Sequence, residues 1–211
     1  MNQLGVSFPC GTLTLEGSLA LPETSARVPA VAVCHPHPLY GGSMHNNVVD
    51  AIILALTERN IAAFKFNFRG TGQSGGEHDN GNGEQDDLIA ALDCMVGRNE
   101  IDGSRLGVAG YSFGGMVATK LASRESRIKA LALISPALSP SELSKLKDLP
   151  RPVFIISGDR DDFVSSASIR ALQKHLPQSS MVETIASADH FWWGQESAMS
   201  GRVAEFLSSH L

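Results

Sequence analysis

Short apolar runs alternate with amphipathic segments of helical length along most of the chain. Residues 28–34 and 128–134 are almost continuously apolar, which is typical of strands buried on both faces of a parallel sheet. Residues 8–21 instead place leucines at alternating positions around two glycines, the pattern of a hairpin of half-buried strands. The same periodicities predict strands at residues 61–68, 106–109, 153–157 and 181–185, and helices at residues 47–59, 83–96, 113–123, 166–176 and 196–207.

This order of elements predicts an α/β fold. Helices that alternate with buried strands cover both faces of a mostly parallel sheet, here of eight strands with an antiparallel start. The polar stretch at residues 135–151 leaves room for one short helix near residues 142–146, which is too little for a lid. A chain of 211 residues, 43% hydrophobic and 18% charged, can bury a full core, and we expect one domain over residues 1–211.

Composition narrows the classes of function. A net charge of -5, with no cluster of Lys and Arg, argues against a nucleic-acid partner. Cys10, Cys34 and Cys94 lie far apart without C-x-x-C spacing, so we expect neither a disulfide framework nor a zinc site. No basic and apolar leader opens the sequence and no apolar run approaches about 18 residues, which favours a cytoplasmic protein with no membrane partner.

The most informative stretch is residues 106–115, where an apolar run breaks at a serine set between glycines. Gly110, Ser112 and Gly114 match G-x-S-x-G, a pattern in which the serine occupies a strained turn with φ > 0 and stands above the end of a strand. Only small residues fit two positions to either side of such a turn. The helix that starts at Phe113 directs free N–H groups at the space beside Ser112, where an anion formed in acyl transfer would need donors.

Five motifs, taken in order, resemble those of the α/β-hydrolases over nearly the whole chain. They lie at residues 35–42 (HPHPLYGG), 67–74 (NFRGTGQS), 110–114 (GYSFG), 157–164 (SGDRDDFV) and 188–191 (ADHF). Together they are similar to small, lidless bacterial hydrolases that neighbour the dienelactone hydrolases. The dienelactone enzymes use a cysteine where this chain has Ser112, so the resemblance does not carry over their substrate. It implies an α/β-hydrolase fold whose triad runs in the order serine, acid, histidine.

The serine needs a base, because an unactivated hydroxyl is a weak nucleophile at neutral pH. Three histidines follow Ser112 in the sequence. His175 falls in a predicted helix and His210 is the penultimate residue. His190 follows the last predicted strand, level with the expected catalytic edge of the sheet, and is the predicted base.

A carboxylate must orient that base. The loop after residues 153–157 offers Asp159, Asp161 and Asp162. Hydrolases that this chain resembles show G-x-x-D-x-x-V here, and Gly158 and Val164 have the matching spacing around Asp161. Asp161 is therefore the predicted acid, with Asp162 next. A calcium loop is disfavoured, because no alternating ligands or distant glutamate accompany these carboxylates.

An oxyanion hole requires a second N–H besides that of Phe113, and in this fold the loop after the third strand supplies it. Both prolines of the HPHP segment lack an N–H, so the donor is His37, Leu39 or Tyr40. A zinc site of His35, His37 and His45 is disfavoured, because no cysteine or carboxylate lies at ligand spacing.

Residues 70–75 match the dinucleotide-binding pattern G-x-G-x-x-G, but no helix opens at the third glycine. We therefore expect no cofactor and no metal. The sequence predicts a serine hydrolase of small or short-chain carboxylic esters, acting as a monomer or small homo-oligomer in an open cleft bordered by Tyr40, Phe191 and Trp192. Thioesterase, peptidase and a catalytically silent binding protein of the same fold remain the alternatives.

Overall fold

The computed structural model describes residues 2–211, and the side chains of all of these except Ser166 and Leu172. Eight strands form one sheet in the order β1-β2-β4-β3-β5-β6-β7-β8. The strands are β1 (Asn2–Cys10), β2 (Leu13–Leu21), β3 (Val28–Cys34), β4 (Ala62–Phe66), β5 (Ile101–Tyr111), β6 (Ile128–Ile134), β7 (Val153–Gly158) and β8 (Met181–Ile185). The helices are α1 (Asn47–Thr57), α2 (Gly83–Val96), α3 (Phe113–Ala122), α4 (Pro140–Lys145), α5 (Ser166–Leu172) and α6 (Glu196–Ser208).

The predicted strands and helices are all present, and the main differences lie at their ends. β1 extends back to Asn2, because it pairs with β2 along its whole length, from Asn2 opposite Leu21 to Cys10 opposite Leu13. β5 likewise starts at Ile101, which pairs with Val28 of β3. Backbone pairing with a neighbouring strand sets these ends, and apolar periodicity does not report such pairing.

The continuous apolar runs are explained by two core layers, one on each face of the sheet. Along β3, Ala30, Ala32 and Cys34 face the layer that contains α2 and α3, whereas Val31 and Val33 face the layer that contains α1 and α6. Each large apolar side chain buried in this way contributes about 1.5–3 kcal/mol. A strand between two such layers has no polar face, as predicted for a parallel sheet.

The sheet brings the functional loops to one edge. β4, β3, β5, β6, β7 and β8 are mutually parallel neighbours, and only β2 runs in the opposite direction, because it pairs antiparallel with both β1 and β4. The loops after β3, β5, β7 and β8 therefore leave the same edge, where ligands bind in open α/β sheets. Between β6 and β7 the chain forms only α4 and a short 3-10 turn. Within residues 2–211, no helix is long and apolar enough to cross a membrane.

Candidate active site

Ser112 occupies the predicted strained turn between β5 and α3. Its backbone has φ 52° and ψ -113°, a conformation that L-residues rarely adopt. A Cβ on Gly110 would lie 2.5 Å from the carbonyl oxygen of Gly114, across the turn, and a Cβ on Gly114 would collide with the backbone of Cys34. The glycines therefore allow the turn to close and to pack against the end of β3.

Three predicted side chains meet beside this turn. His190 Nε2 lies 3.1 Å from Ser112 Oγ, and His190 Nδ1 lies 3.0 Å from each carboxylate oxygen of Asp161. The Asp161 side chain is fully buried, whereas Ser112 and His190 each keep 9% of their surface exposed. With the proton on Nδ1, the ring donates to Asp161 and its Nε2 can accept the serine proton.

The carboxylate of Asp161 is held by several donors. Its Oδ1 accepts the backbone N–H groups of Phe163, at 3.0 Å, and of Val164, at 2.9 Å. Burial acts to raise the pKa of Asp161, but hydrogen bonds from His190 and Ser135 outweigh it and hold the pKa below its usual value. Asp161 therefore stays ionised beside the imidazole.

The other predicted candidates lie outside this cluster. Asp162 is exposed, and Asp159 accepts the backbone N–H of Ser187 at 2.7 Å. His175 is exposed in the 3-10 turn after α5. His210 packs its ring on Phe206 and bonds to the Phe206 carbonyl oxygen at 2.8 Å.

The prediction that Trp192 borders the cleft is wrong. Its indole is fully buried in the core layer below the site, and its Nε1–H donates to Ser135 Oγ at 3.2 Å. Because Ser135 also bonds to Asp161, Trp192 supports the Asp161 carboxylate from behind. The loop turns inward at this residue, where φ is 63°, since burying the largest apolar ring gains most from leaving water.

The rim of the site is apolar and exposed. Tyr40 and Phe191, which were predicted to border the cleft, are 88% and 49% exposed, and Leu39 is exposed beside Tyr40. Phe163 was not predicted to take part, yet it is 71% exposed and its ring centroid lies 4.8 Å from that of His190. The only sequence signal for it is its position two residues after Asp161.

The structure also distinguishes among the candidate N–H donors after β3. The Leu39 N–H donates to the His37 ring, and the Tyr40 N–H donates to the His37 carbonyl oxygen. For the N–H groups of His37 and Phe113, the described part of the chain provides no acceptor. These two N–H groups therefore remain available as hydrogen-bond donors.

The His35 ring is buried and bonds to backbone groups. Its side chain is fully buried, its Nδ1 lies 2.6 Å from the Pro36 carbonyl oxygen, and its Nε2 accepts the Phe68 N–H at 3.1 Å. Burial lowers the pKa of His35 to about 4. The ring thus anchors the loop after β3 as a neutral imidazole, and no cluster of metal-ligating side chains occurs among the residues described.

This environment makes stability depend on pH. Because the folded-state pKa of His35 lies below its unfolded value of 6.5, the unfolded chain binds more protons between pH 6.5 and 4, and stability falls as the pH decreases through that window. A shift of this size corresponds to on the order of 3 kcal/mol. Urea unfolding from pH 7 to 4 is expected to show this loss of unfolding free energy. His35→Gln retains an acceptor for the Phe68 N–H and is expected to make the unfolding free energy depend less steeply on pH. Equal slopes for both proteins would contradict the assignment.

Two cavities of the structure do not contain the serine. One, of about 490 Å³, lies between residues 38–43 and 70–78, and the other, of about 280 Å³, lies near the β1–β2 edge. Ser112 and His190 line neither cavity. Ser112 therefore lies outside both of these cavities, and it keeps 9% of its surface exposed.

A parallel sheet with a serine turn after a central strand is the architecture of the α/β-hydrolases. The family model described as the α/β-hydrolase domain matches residues 35–207. The chain belongs to this family.

Three similar proteins illustrate the relationship. An uncharacterised protein of Rickettsia prowazekii is 36% identical over 98% of this chain and 89% of its own length. The crystal structure of an α/β serine hydrolase without lid from Xanthomonas campestris is 30% identical, covers 100% of this chain and 96% of that one, and superposes with a TM-score of 0.84. A cutinase of Thermobifida alba is 39% identical over 88 residues, which are 38% of this chain and 28% of the cutinase.

Proposed function

We propose that this protein is a serine carboxylesterase that cleaves small or short-chain esters through an acyl-enzyme. Ser112 is the nucleophile, His190 the base and Asp161 the acid that orients the base. The observation that carries the proposal is the chain of contacts from the Asp161 carboxylate through the imidazole to the Ser112 hydroxyl. An imidazole at hydrogen-bond distance is what makes a serine hydroxyl nucleophilic at neutral pH.

Each group then has a defined step. Ser112 Oγ attacks the ester carbonyl carbon while its proton passes to His190 Nε2, and Asp161 stabilises the imidazolium. The carbonyl oxygen becomes an anion that accepts hydrogen bonds from the N–H groups of Phe113 and His37. His190 returns the proton to the leaving alcohol. A water molecule, activated by the same imidazole, then hydrolyses the acyl-enzyme.

The open cleft favours short acyl groups. The segment between β6 and β7 contains only α4 and a 3-10 turn, which cannot roof the site. Similarity to a lidless serine hydrolase and, over part of the chain, to a cutinase supports ester hydrolysis without a lid. Each buried methylene contributes about 0.8 kcal/mol, so a site that buries few of them gains little from a long chain.

A series of p-nitrophenyl esters from acetyl to palmitoyl tests this proposal. We expect kcat/KM to be highest for the short acyl groups and to show no jump when the substrate passes its micelle concentration. Thioesters and peptides assayed in parallel distinguish an esterase from a thioesterase or a peptidase. Efficiency that rises steadily toward palmitoyl, or interfacial activation, would instead indicate a lipase.

A fluorophosphonate probe separates an enzyme from a silent member of the fold. It is expected to label Ser112 in the wild-type protein and to leave the Ser112→Ala variant unlabelled. An unlabelled wild-type protein would contradict the proposed function.

A further inference from the structure

Two exposed phenylalanines pack against His190. The ring centroids of Phe163 and Phe191 lie 4.8 and 5.6 Å from that of His190, and 6.1 Å from each other with an angle of 82° between their planes. Phe163 is 71% exposed and Phe191 is 49% exposed. A single exposed apolar side chain needs no explanation. Two perpendicular rings that share a contact with a buried imidazole form a shaped apolar surface, and such a surface needs an explanation.

If the protein is the esterase proposed above, the position of this surface indicates which part of the ester contacts it. The carbonyl oxygen must face the N–H groups of Phe113 and His37, and the leaving oxygen must face His190 Nε2, which protonates it. The alcohol part of the ester therefore extends past His190. Its first neighbours there are Phe163 and Phe191, whereas the acyl part leaves in another direction.

We infer that Phe163 and Phe191 form the leaving-group subsite and that this subsite selects esters of uncharged aromatic alcohols. Aromatic rings prefer edge-to-face and offset arrangements. Two perpendicular phenyl rings offer a third ring both a face and an edge at once. An ethyl group is too small to contact both rings and gains little from them.

The two rings are held in place before substrate binds. The Phe163 N–H donates to Asp161 Oδ1 at 3.0 Å, and the Phe191 N–H donates to Asp189 Oδ1 at 2.9 Å. Both bonds fix the backbone next to the triad, so little conformational entropy is lost when a ligand docks. The two rings are therefore held at a fixed position relative to Asp161 and His190.

The test compares three acetates that share the acyl group and release unactivated primary alcohols: benzyl, cyclohexylmethyl and ethyl acetate. We expect Phe163→Ala to lower kcat/KM for benzyl acetate about tenfold more than it lowers kcat/KM for ethyl acetate. Phe163→Tyr retains the ring and is expected to retain the preference for benzyl acetate. Phe163→Leu is expected to lose that preference while still turning over cyclohexylmethyl acetate. Leu54→Ala, which truncates an exposed apolar side chain of α1, is the matched control and is expected to change none of the three rates.

Fluorophosphonate labelling of each variant shows whether the triad is intact. If Phe163→Ala does not fold, Phe191→Leu is expected to produce the same selective loss on benzyl acetate. An equal loss on all three acetates would mean that the phenylalanine only positions His190, and an unchanged benzyl rate would mean that no such subsite exists. Either result overturns the inference and leaves the esterase proposal standing. A wild-type protein that is neither labelled nor active on any acetate overturns both.

Discussion

Replacement of Ser112 by alanine is expected to lower kcat for a short-chain ester by several powers of ten while leaving the protein folded. His190→Ala is expected to cost a similar factor, and the double variant is expected to be no worse than either single one, because triad members act as a unit. Turnover of p-nitrophenyl acetate measures the effect, and thermal unfolding reports the fold.

Two matched substitutions control for this result. Ser104→Ala changes a serine at the opposite end of β5, and His210→Ala changes a histidine that packs on Phe206. Both are expected to retain wild-type turnover. Near-native activity in Ser112→Ala or in His190→Ala would show that the site is assigned to the wrong residues.

Asp161→Asn is expected to lower the rate about 10⁴-fold, because an amide at this position stabilises the wrong tautomer of His190. The Asp161 side chain is fully buried and contacts both the imidazole and the backbone of the following loop. Asp162→Asn changes an exposed carboxylate one residue away and is expected to have little effect. The two variants are compared by kcat and by the pH profile of kcat. A larger loss in Asp162→Asn than in Asp161→Asn would assign the acid to Asp162.

The residues predicted from sequence are those whose signals are local. Ser112 stands out because a strained turn requires glycines at fixed spacing on both sides, and the close approaches at Gly110 and Gly114 explain that spacing. His190 could be predicted because parallel strands end at one edge of the sheet, so a histidine just after the last strand reaches the site. The choice of Asp161 over Asp162 depended on resemblance to other hydrolases. In the structure Asp161 is the one that contacts His190.

The contributions that sequence reasoning missed come from contacts across the fold. Trp192 was placed in the cleft because residues 191–193 are three consecutive aromatic residues, and nothing in these residue types shows which ring turns inward. Its partner Ser135 lies 57 residues away in the chain, in the loop after β6. Phe163 was overlooked because its contact with His190 forms only when the loops after β7 and β8 meet.

By itself the sequence determined the α/β order of elements, the turn at Ser112 and the place of His190 after the last strand, since each depends on periodicity, glycine sterics or position after a strand. Only the tertiary structure decided which backbone N–H groups after β3 have no acceptor among the described residues, which ring supports Asp161 and which rings pack against His190. Those outcomes depend on hydrogen bonds and burial between segments far apart in the chain. A local pattern of residue types carries no record of such contacts, because they exist only once the sheet has brought its loops together.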